Sequence, residues 1–520
     1  MITADVSVDV NPTIVTSFAI YLALIFAIAI YAARRWTGSM EGFYLGGRKV
    51  GNFVVALSAV TSGRSAWLVL GVTGMAFVDG ASAVWVVPGY ILMELFLFLV
   101  AAPRLRRFTG RMRDITLPDY FTSRLQGGLK LRHLTVWVLV IFMIVYVASQ
   151  FDAGGKAFAS TFGLDQDLGI WITALIVLCY TLVGGYVAVA LSDMIQACFM
   201  LFGLVVLPIV VITSLGWGGM IDILHALDPA LLNPYALGVG AIISGVGIGL
   251  GSPGNPHILV RYMSIDDPAK LRTAALWGTV WNVLMSWGAV YIGLAGRAIY
   301  QDVEALPGQD TEQLFPYLAA DYLPPLIVGF LVAAVFAAIM STADSQLLVG
   351  SSGIVRDMYE RMLRPERRPS QRYLVRLSRL VVLFLCLFSA GLLYVPYAQT
   401  TVFWLVLFAW AGLGAAFGPP LLISLFWRGA TAAGAAAGII TGTVVTITWF
   451  TMDQWAPELA AAIPPGLDYE LIPGFAASAL AVWLVSLVTR RPSDVDRIMA
   501  DLASGQDAST EPAHGTTTPS

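Results

Sequence analysis

Long apolar runs separated by short polar loops form the main pattern of this chain. Because the hydrocarbon core of a bilayer is about 30 Å thick, a helix that crosses it needs about 20 apolar residues. Thirteen runs reach or approach that length: residues 14–33, 50–77, 82–102, 134–150, 168–190, 194–215, 237–260, 273–296, 326–348, 377–395, 401–427, 431–450 and 472–489. We number them spans 1 to 13 and predict an all-α integral membrane protein with about thirteen transmembrane helices.

Composition and charge support this class of protein. Hydrophobic residues make up 58% and charged residues 12% of the 520 residues, against about 45–50% and about 25% in soluble chains. The net charge of −3 and the lack of a large basic patch argue against a nucleic acid partner. We predict a transmembrane transporter domain over residues 1–490. The polar residues 491–520 are expected to form a disordered cytoplasmic tail.

The distribution of lysine and arginine predicts how the chain is oriented. If the N-terminus lies outside, 27 of the 30 basic residues, Arg261 among them, fall in cytoplasmic loops. Lys156 and Arg297 are then the basic residues on the outer side, and Arg64 lies inside span 2. Because short cytoplasmic loops carry an excess of basic residues, we expect an outside N-terminus and a cytoplasmic C-terminus. The expected location is the plasma (inner) membrane.

Two spans carry clusters of helix-breaking residues. Span 2 reads SAVTSGRS over residues 58–65, and span 7 reads GIGLGSPGNP over residues 247–256. Gly and Pro weaken the helical hydrogen-bond ladder, and an interrupted backbone is tolerated at membrane depth only beside protein or water. Paired breaks in two halves mark the binding site of inverted-repeat transporters. We predict five-plus-five repeats over about residues 50–215 and 237–427; the alternative is that small residues only allow close helix packing.

Seven motifs, in order along residues 14–490, indicate a family. They are YLGGR at 44–48, LPDYF at 117–121, YTLVGGYVAV at 180–189 followed by SD at 192–193, NPHIL at 255–259 with Arg261, MSTADSQLL at 340–348, AWAGLGAAFGP at 409–419 and IPGF at 472–475. Together they resemble the sodium/solute symporter family, and most of all its proline carriers. The resemblance implies alternating access and solute uptake driven by inward sodium. It implies no enzymatic activity and no cofactor other than Na⁺ as the coupling ion.

The resemblance also implies two sets of ion ligands. The first sodium site would use the hydroxyls of Ser341 and Thr342 with backbone carbonyls of Thr61, Arg64 and Ala338; alternatively, these hydroxyls only bond back to the preceding turn.

A possible second ion site would combine Asp193, Asp344 and Ser345. The alternative for Asp193 is a cap at the cytoplasmic start of span 6. The acid Glu94, also in a span, is expected to be paired.

The solute is expected between the two breaks. The candidate contacts are Arg64, Ser65, Trp67, Tyr146, Ser252, Asn255 and Pro256. Tyr146 is included because it matches a solute-contacting tyrosine of the resembled carriers. His257 is expected to be a hydrogen-bonded structural residue.

One position departs from the family pattern. The resembled carriers have an essential aspartate in span 2, where this chain has Gly63 followed by Arg64. A fixed cation at membrane depth requires a partner. Arg64 could fill the sodium position, hold a solute carboxylate in a bidentate fashion, or pair with Glu94 or Asp193 as a structural bridge. Ile248 and Ser252 also replace aromatic residues of the family's proline pocket.

We therefore expect sodium-coupled symport of a small zwitterionic or anionic solute, with proline or a related amino acid first. One alternative is a sodium-independent carrier, proton-coupled or exchanging, for a small carboxylate-bearing solute. Another is a membrane sensor that transports nothing. The sequence does not determine the oligomeric state.

Overall fold

The computed structural model describes residues 11–36, 38–363, 369–395, 401–464 and 469–503. Within these ranges the chain is helical, and one isolated backbone bridge joins Val50 to Ile265. The α-helices are α1 (Pro12–Trp36), α2 (Met40–Leu45), α3 (Asn52–Ala66), α4 (Thr73–Asp79), α5 (Val86–Phe96), α6 (Ala102–Met112), α7 (Leu117–Leu125), α8 (Gly128–Phe162), α9 (Gln166–Leu215), α10 (Trp217–Leu227), α11 (Gly238–Gly247), α12 (Pro256–Ser264), α13 (Leu271–Tyr300), α14 (Leu314–Tyr322), α15 (Pro325–Ser352), α16 (Gln371–Leu392), α17 (Val402–Phe426), α18 (Ala432–Phe450), α19 (Met452–Trp455), α20 (Pro457–Ala462), α21 (Leu471–Val488) and α22 (Val495–Ala503).

The expected all-α membrane fold is confirmed. Ten helical stretches of the described chain are long and apolar enough to cross a bilayer. The stretch Asn52–Met112 contains spans 2 and 3, and Gln166–Leu215 contains spans 5 and 6. Span 7 is divided between α11 and α12. The count of thirteen crossings and the inverted repeat stay predictions.

Both predicted helix breaks are present. In span 2, Ser65 has φ 45° and ψ −172°, so the helix is interrupted between α3 and the π-helical segment Trp67–Val72. In span 7, a 3₁₀ segment, Ile248–Gly254, and an extended Asn255 separate α11 from α12. Pro256 begins α12, where its missing N–H costs nothing. The Gly, Ser and Pro clusters therefore interrupt the two spans as the sequence indicates.

The boundary between spans 5 and 6 was predicted incorrectly. The break in α9 lies at Gly185 (φ 61°, ψ −162°), within span 5 rather than after residue 190. A side chain at this glycine would meet the Phe43 ring at 2.8 Å, so both its backbone angles and its contacts favour glycine. Asp193 therefore lies inside a helical segment, which contradicts the alternative that it caps the start of span 6.

The predicted disordered tail also needs correction. Within residues 491–520, Val495–Ala503 forms α22, whose Met499 and Leu502 are buried. The helix packs against α6. Residues 504–520 of the predicted tail, and residues 1–10 of the predicted transporter domain, lie outside the described residues.

The centre of the bundle is formed by α15 and α17. The most apolar windows of their stretches are 83% buried, whereas those of α1 and α21 are 28% buried. Around this centre, α15 packs against α1, α3, α8 and α9, and α17 packs against the broken part of span 7. The buried helices therefore adjoin both breaks, and the peripheral helices face lipid.

Glycines allow α5 to approach span 7. A Cβ at Gly89 would overlap the carbonyl oxygen of Val246, and a Cβ at Gly249 would overlap that of Gly89.

We expect Gly89→Ala to destabilise the protein by about 1–3 kcal/mol, because rigid backbone would have to move. The control is Gly219→Ala in α10, where no atom lies within 4 Å of the added Cβ. Thermal unfolding of the purified protein in detergent measures both, and an equal Tm for the two variants would contradict this packing.

Candidate ion and solute site

The two interrupted spans face each other inside the bundle. Arg261 of α12 donates from Nη2 to the Ser62 hydroxyl of α3 over 2.8 Å. At the other end of the break, Trp410 of α17 donates to the Ile248 carbonyl over 2.9 Å and stacks on Tyr90 with 5.4 Å between ring centroids. Tyr90 in turn donates to the Gly63 carbonyl over 2.9 Å. The breaks are therefore linked directly and through two aromatic side chains.

The residues predicted for the first sodium site lie together, and all are buried. Thr342 of α15 donates to the Ser62 carbonyl of α3 over 3.0 Å, next to the predicted Thr61. The Ser341 hydroxyl lies 3.2 Å from the Ala338 carbonyl oxygen. The Arg64 carbonyl accepts from the Trp67 N–H at the break. Hydroxyl and carbonyl oxygens, which hard cations prefer, thus meet where α15 crosses the break in span 2.

The residues predicted for the second ion site also cluster. Asp193 accepts from the Ser58 hydroxyl over 2.5 Å and from Arg261 over 3.0 Å. The Ser345 hydroxyl lies 2.9 Å from an Asp344 carboxylate oxygen, and Tyr180 donates to the other oxygen of Asp344. Arg261 was expected in a cytoplasmic loop, but it is 1% exposed and paired with Asp193. This pairing could not be predicted, because Arg261 directly follows the apolar run of span 7 and looks like the first residue of a loop.

The candidate solute contacts surround the two breaks. Ser65 accepts from the Trp67 N–H over 3.1 Å, and Trp67 stacks on Phe403 with 6.1 Å between ring centroids. Asn255 donates to the Gly251 carbonyl over 2.8 Å, while its Oδ1 has no hydrogen-bond partner among the described residues.

The remaining candidates are buried at the same place. The Ser252 hydroxyl lies beside Tyr90, Pro256 begins α12, and the Tyr146 ring lies at 85° to that of His257, 5.8 Å away.

His257 is fully buried and lies against the backbone of Ser62 in the other interrupted span. Its role as a hydrogen-bonded structural residue stays a prediction. Since buried polar atoms are nearly always satisfied, the unpartnered Asn255 Oδ1 marks a place that can receive a polar atom of a ligand.

Arg64 points away from the sodium ligands. Its guanidinium carbon lies 3.2 Å from the centroid of the Tyr90 ring, and its Nε donates to Asn282 over 2.6 Å. The Arg64 Nη2 atom lies 3.7 Å from the Glu94 carboxylate, and Asn282 also donates to Glu94. All four side chains are buried. Of the three arrangements expected for Arg64, these contacts correspond to the bridge with Glu94.

Gly63 has a steric explanation. A Cβ at this position would overlap the Tyr90 hydroxyl and lie 3.2 Å from Ile258. The Tyr90 hydroxyl therefore occupies the space that an aspartate side chain would need. The contact of Tyr90 with the break therefore explains why this chain has glycine where the resemblance leads one to expect an aspartate.

A cavity approaches the candidate contacts from one side. On the side of Glu312 and Thr401, a cavity of about 380 Å³ extends inward to Ile248 and is lined by Phe403 and Trp404. The Phe403 ring in its lining stacks on the candidate contact Trp67. An aromatic pair therefore lies between the lining of this cavity and the break of span 2.

The opposite end is closed by charged groups. Arg132 contacts Asp119 over 2.7 Å and also Asp357, and Arg356 lies 3.4 Å from Asp119. Burial favours the neutral form of Asp119, but Arg356 and Arg132 outweigh it and hold its pKa below the ordinary value. Burial raises the pKa of nearby Asp114 to about 7. This network joins α7, α8 and the π-helical segment Gly353–Leu363 that follows α15, and no residue of it was predicted as functional.

Comparison with known proteins adds to this geometry. A model of the sodium:solute symporter family matches residues 43–442. A sodium/proline symporter of Staphylococcus aureus (strain JH9) is 38% identical over 491 residues, which cover 93% of this chain and 94% of the relative.

Two solved structures share the fold. A Na⁺-coupled sialic acid symporter in a substrate-bound, outward-open state superposes with a TM-score of 0.77 at 20% identity, covering 93% of this chain and 99% of that one. A nucleobase-cation-symport-1 family transporter in a closed conformation gives a TM-score of 0.52 at 12% identity, covering 89% and 99%.

Two interrupted membrane helices that enclose buried oxygen ligands define a multi-pass secondary transporter. The extent of the family match and the 38% identity then make the assignment specific. The chain belongs to the sodium:solute symporter family, and its activity is the sodium-coupled symport of a small solute.

The Arg64–Glu94 bridge leads to a stability prediction. Arg64→Ala leaves Glu94 buried without its cation, so we expect a loss of about 3–5 kcal/mol. The double variant Arg64→Met/Glu94→Gln removes both charges and is expected to recover most of that loss. Arg428→Ala is the control, because its pair with Asp496 is exposed (67% and 82%) and contributes less than about 1 kcal/mol. Thermal unfolding measures all three, and equal losses for the single and double variants would contradict the bridge.

Proposed function

We propose that this symporter takes up proline or a closely related small amino acid together with sodium. Sodium coupling is supported mainly by the hydrogen bond from Thr342 to the Ser62 carbonyl, which brings the predicted ligands to the break of span 2. The 38% identity with a sodium/proline symporter supports the choice of solute. Like that relative, the protein acts as a carrier rather than an enzyme, and Na⁺ is its coupling ion.

The first sodium site uses the five predicted residues. The carbonyls of Thr61, Arg64 and Ala338 and the hydroxyls of Ser341 and Thr342 supply oxygen ligands without a carboxylate. Back-bonding to the preceding turn, the alternative for these hydroxyls, describes the 3.2 Å contact of Ser341 with the Ala338 carbonyl. It does not explain the contact of Thr342 with another helix.

The solute lies between Ser65 and the start of α12. A carboxylate placed there faces the positive end of a helix of nine residues. The unpartnered Asn255 Oδ1 is available to the solute's polar atoms, together with the Ser252 hydroxyl three residues before it. Tyr146 and Trp67 provide apolar surface for its carbon skeleton. This arrangement suits a compact zwitterion.

The contacts of Arg64 bear on the alternatives. A sodium-independent carrier was suggested because Arg64 could fill the sodium position, but its guanidinium is held by Tyr90, Asn282 and Glu94. We therefore assign its side chain to the bridge and its carbonyl to the sodium site. We also propose an outside N-terminus and a cytoplasmic C-terminus, which place the 380 Å³ cavity at the outer face.

Uptake of radioactive proline into proteoliposomes tests the proposal. An inward sodium gradient should drive accumulation, and replacing sodium by choline should abolish it. Accumulation of proline that is equal in choline would reject sodium coupling. No uptake of proline, but sodium-driven uptake of another amino acid, would reject proline alone.

A variant tests the first sodium site. Thr342→Ala removes one ligand oxygen, worth about 1–2 kcal/mol, so we expect the sodium concentration for half-maximal uptake to rise roughly tenfold. Thr213→Ala is the matched control, since the Thr213 hydroxyl is exposed and bonds only within its own helix. Equal sodium dependence of the two variants would remove Thr342 from the ion site.

A further inference from the structure

Arg261 occupies the position of a cation within a cage of oxygen atoms. Its Nη2 atom contacts the Asp193 carboxylate at 3.0 Å, the Ser62 hydroxyl at 2.8 Å, and the Ser345 hydroxyl. Its Nε donates to Ser58 over 3.1 Å. These oxygens come from three helices, α3, α9 and α15, while Arg261 comes from a fourth, α12. One guanidinium nitrogen therefore lies where α3, α9 and α15 direct their oxygens.

Two acidic side chains share this cluster with one basic side chain. Asp193 and Asp344 are both fully buried, and within the described chain Arg261 is the basic residue that pairs with either of them. The Asp193 Oδ1 atom has no hydrogen-bond partner there. A buried carboxylate oxygen without a partner is costly. The cage therefore has the ligands and the negative charge to hold a cation when the guanidinium is absent.

Arg261 also faces an aromatic side chain at the edge of the cage. The guanidinium carbon is 5.7 Å from the centroid of the Tyr186 ring, which offers a cation–π contact. The cavity beside it, lined by Arg261, Ser345, Tyr44 and Tyr186, measures only about 10 Å³. The side chain therefore leaves the cage only if α12 itself moves.

We propose that Arg261 is a tethered competitor for the second cation: a sodium ion enters the cage of Asp193, Ser62 and Ser345 only when Arg261 withdraws. This inference rests on the proposed sodium-coupled function. Arg261 and the solute contact Pro256 are on the same short helix, about 8 Å apart along its axis. A displacement of α12 by the solute therefore moves the competitor as well, which links solute binding to the occupancy of the second ion site.

Binding of radioactive sodium to the purified protein in nanodiscs, without solute, tests this. Arg261→Gln should bind one more sodium ion per chain than the wild type over the same concentration range, or bind sodium roughly tenfold more tightly, because a fixed positive charge is removed at contact distance. The double variant Arg261→Gln/Asp193→Asn should lose this gain. Equal number and affinity of bound sodium in wild type and Arg261→Gln would overturn the proposal.

Arg261→Met covers the case in which Arg261→Gln does not fold. It also removes the charge next to Asp193 while keeping a long side chain, so a similar gain in sodium binding is expected. Unchanged binding in a folded Arg261→Met variant would also overturn the proposal.

Thr342→Ala separates the inference from the proposed function. If wild type binds no sodium and Thr342→Ala changes nothing, the sodium-coupled function fails. A gain in Arg261→Gln that Asp193→Asn removes would still establish the competition.

Discussion

Inside a bilayer, each backbone N–H and C=O that a broken helix releases must find a partner within the protein. In this symporter other helices provide those partners at the break of span 2. Thr342 donates to the Ser62 carbonyl, Tyr90 donates to the Gly63 carbonyl, and the Gln150 amide oxygen accepts from the Ala66 N–H over 3.1 Å. The same side chains that stabilise the break thus determine which helices surround it. The proposed ion and solute sites lie where this requirement brings the helices together.

The same requirement for partners inside the protein applies to the charges of the buried arginines. A membrane interior tolerates a guanidinium only when acids and hydrogen-bond acceptors surround it. Arg64 has Glu94 and Asn282 beside an aromatic face, whereas Arg261 has one carboxylate and three hydroxyls. The first set is suited to hold a side chain in place, because the aromatic ring and the amide are fixed by packing. The second set consists of ligands that a metal cation also accepts.

Features that depend on local sequence could be predicted, and those that depend on tertiary partners could not. The Gly, Ser and Pro clusters interrupt their spans wherever they are placed, so both breaks were predicted from residue type. The break at Gly185 was missed because a single glycine pair in an apolar run has no such composition. Arg261 was assigned to a loop because hydropathy does not report that α12 continues to Ser264. Helix α22 was missed because its amphipathic pattern is short and lies within a polar segment.

The backbone bridge between Val50 and Ile265 bears on how the molecule can move. Val50 donates to the Ser264 carbonyl over 3.3 Å and accepts from the Asp266 N–H over 3.1 Å. It therefore fastens the beginning of α3 to the end of α12, the outermost points of the two interrupted spans on one face of the bundle. Because these hydrogen bonds join the two segments, we expect them to rotate together rather than slide past each other. Rotation that opens the site toward one compartment would then close it toward the other.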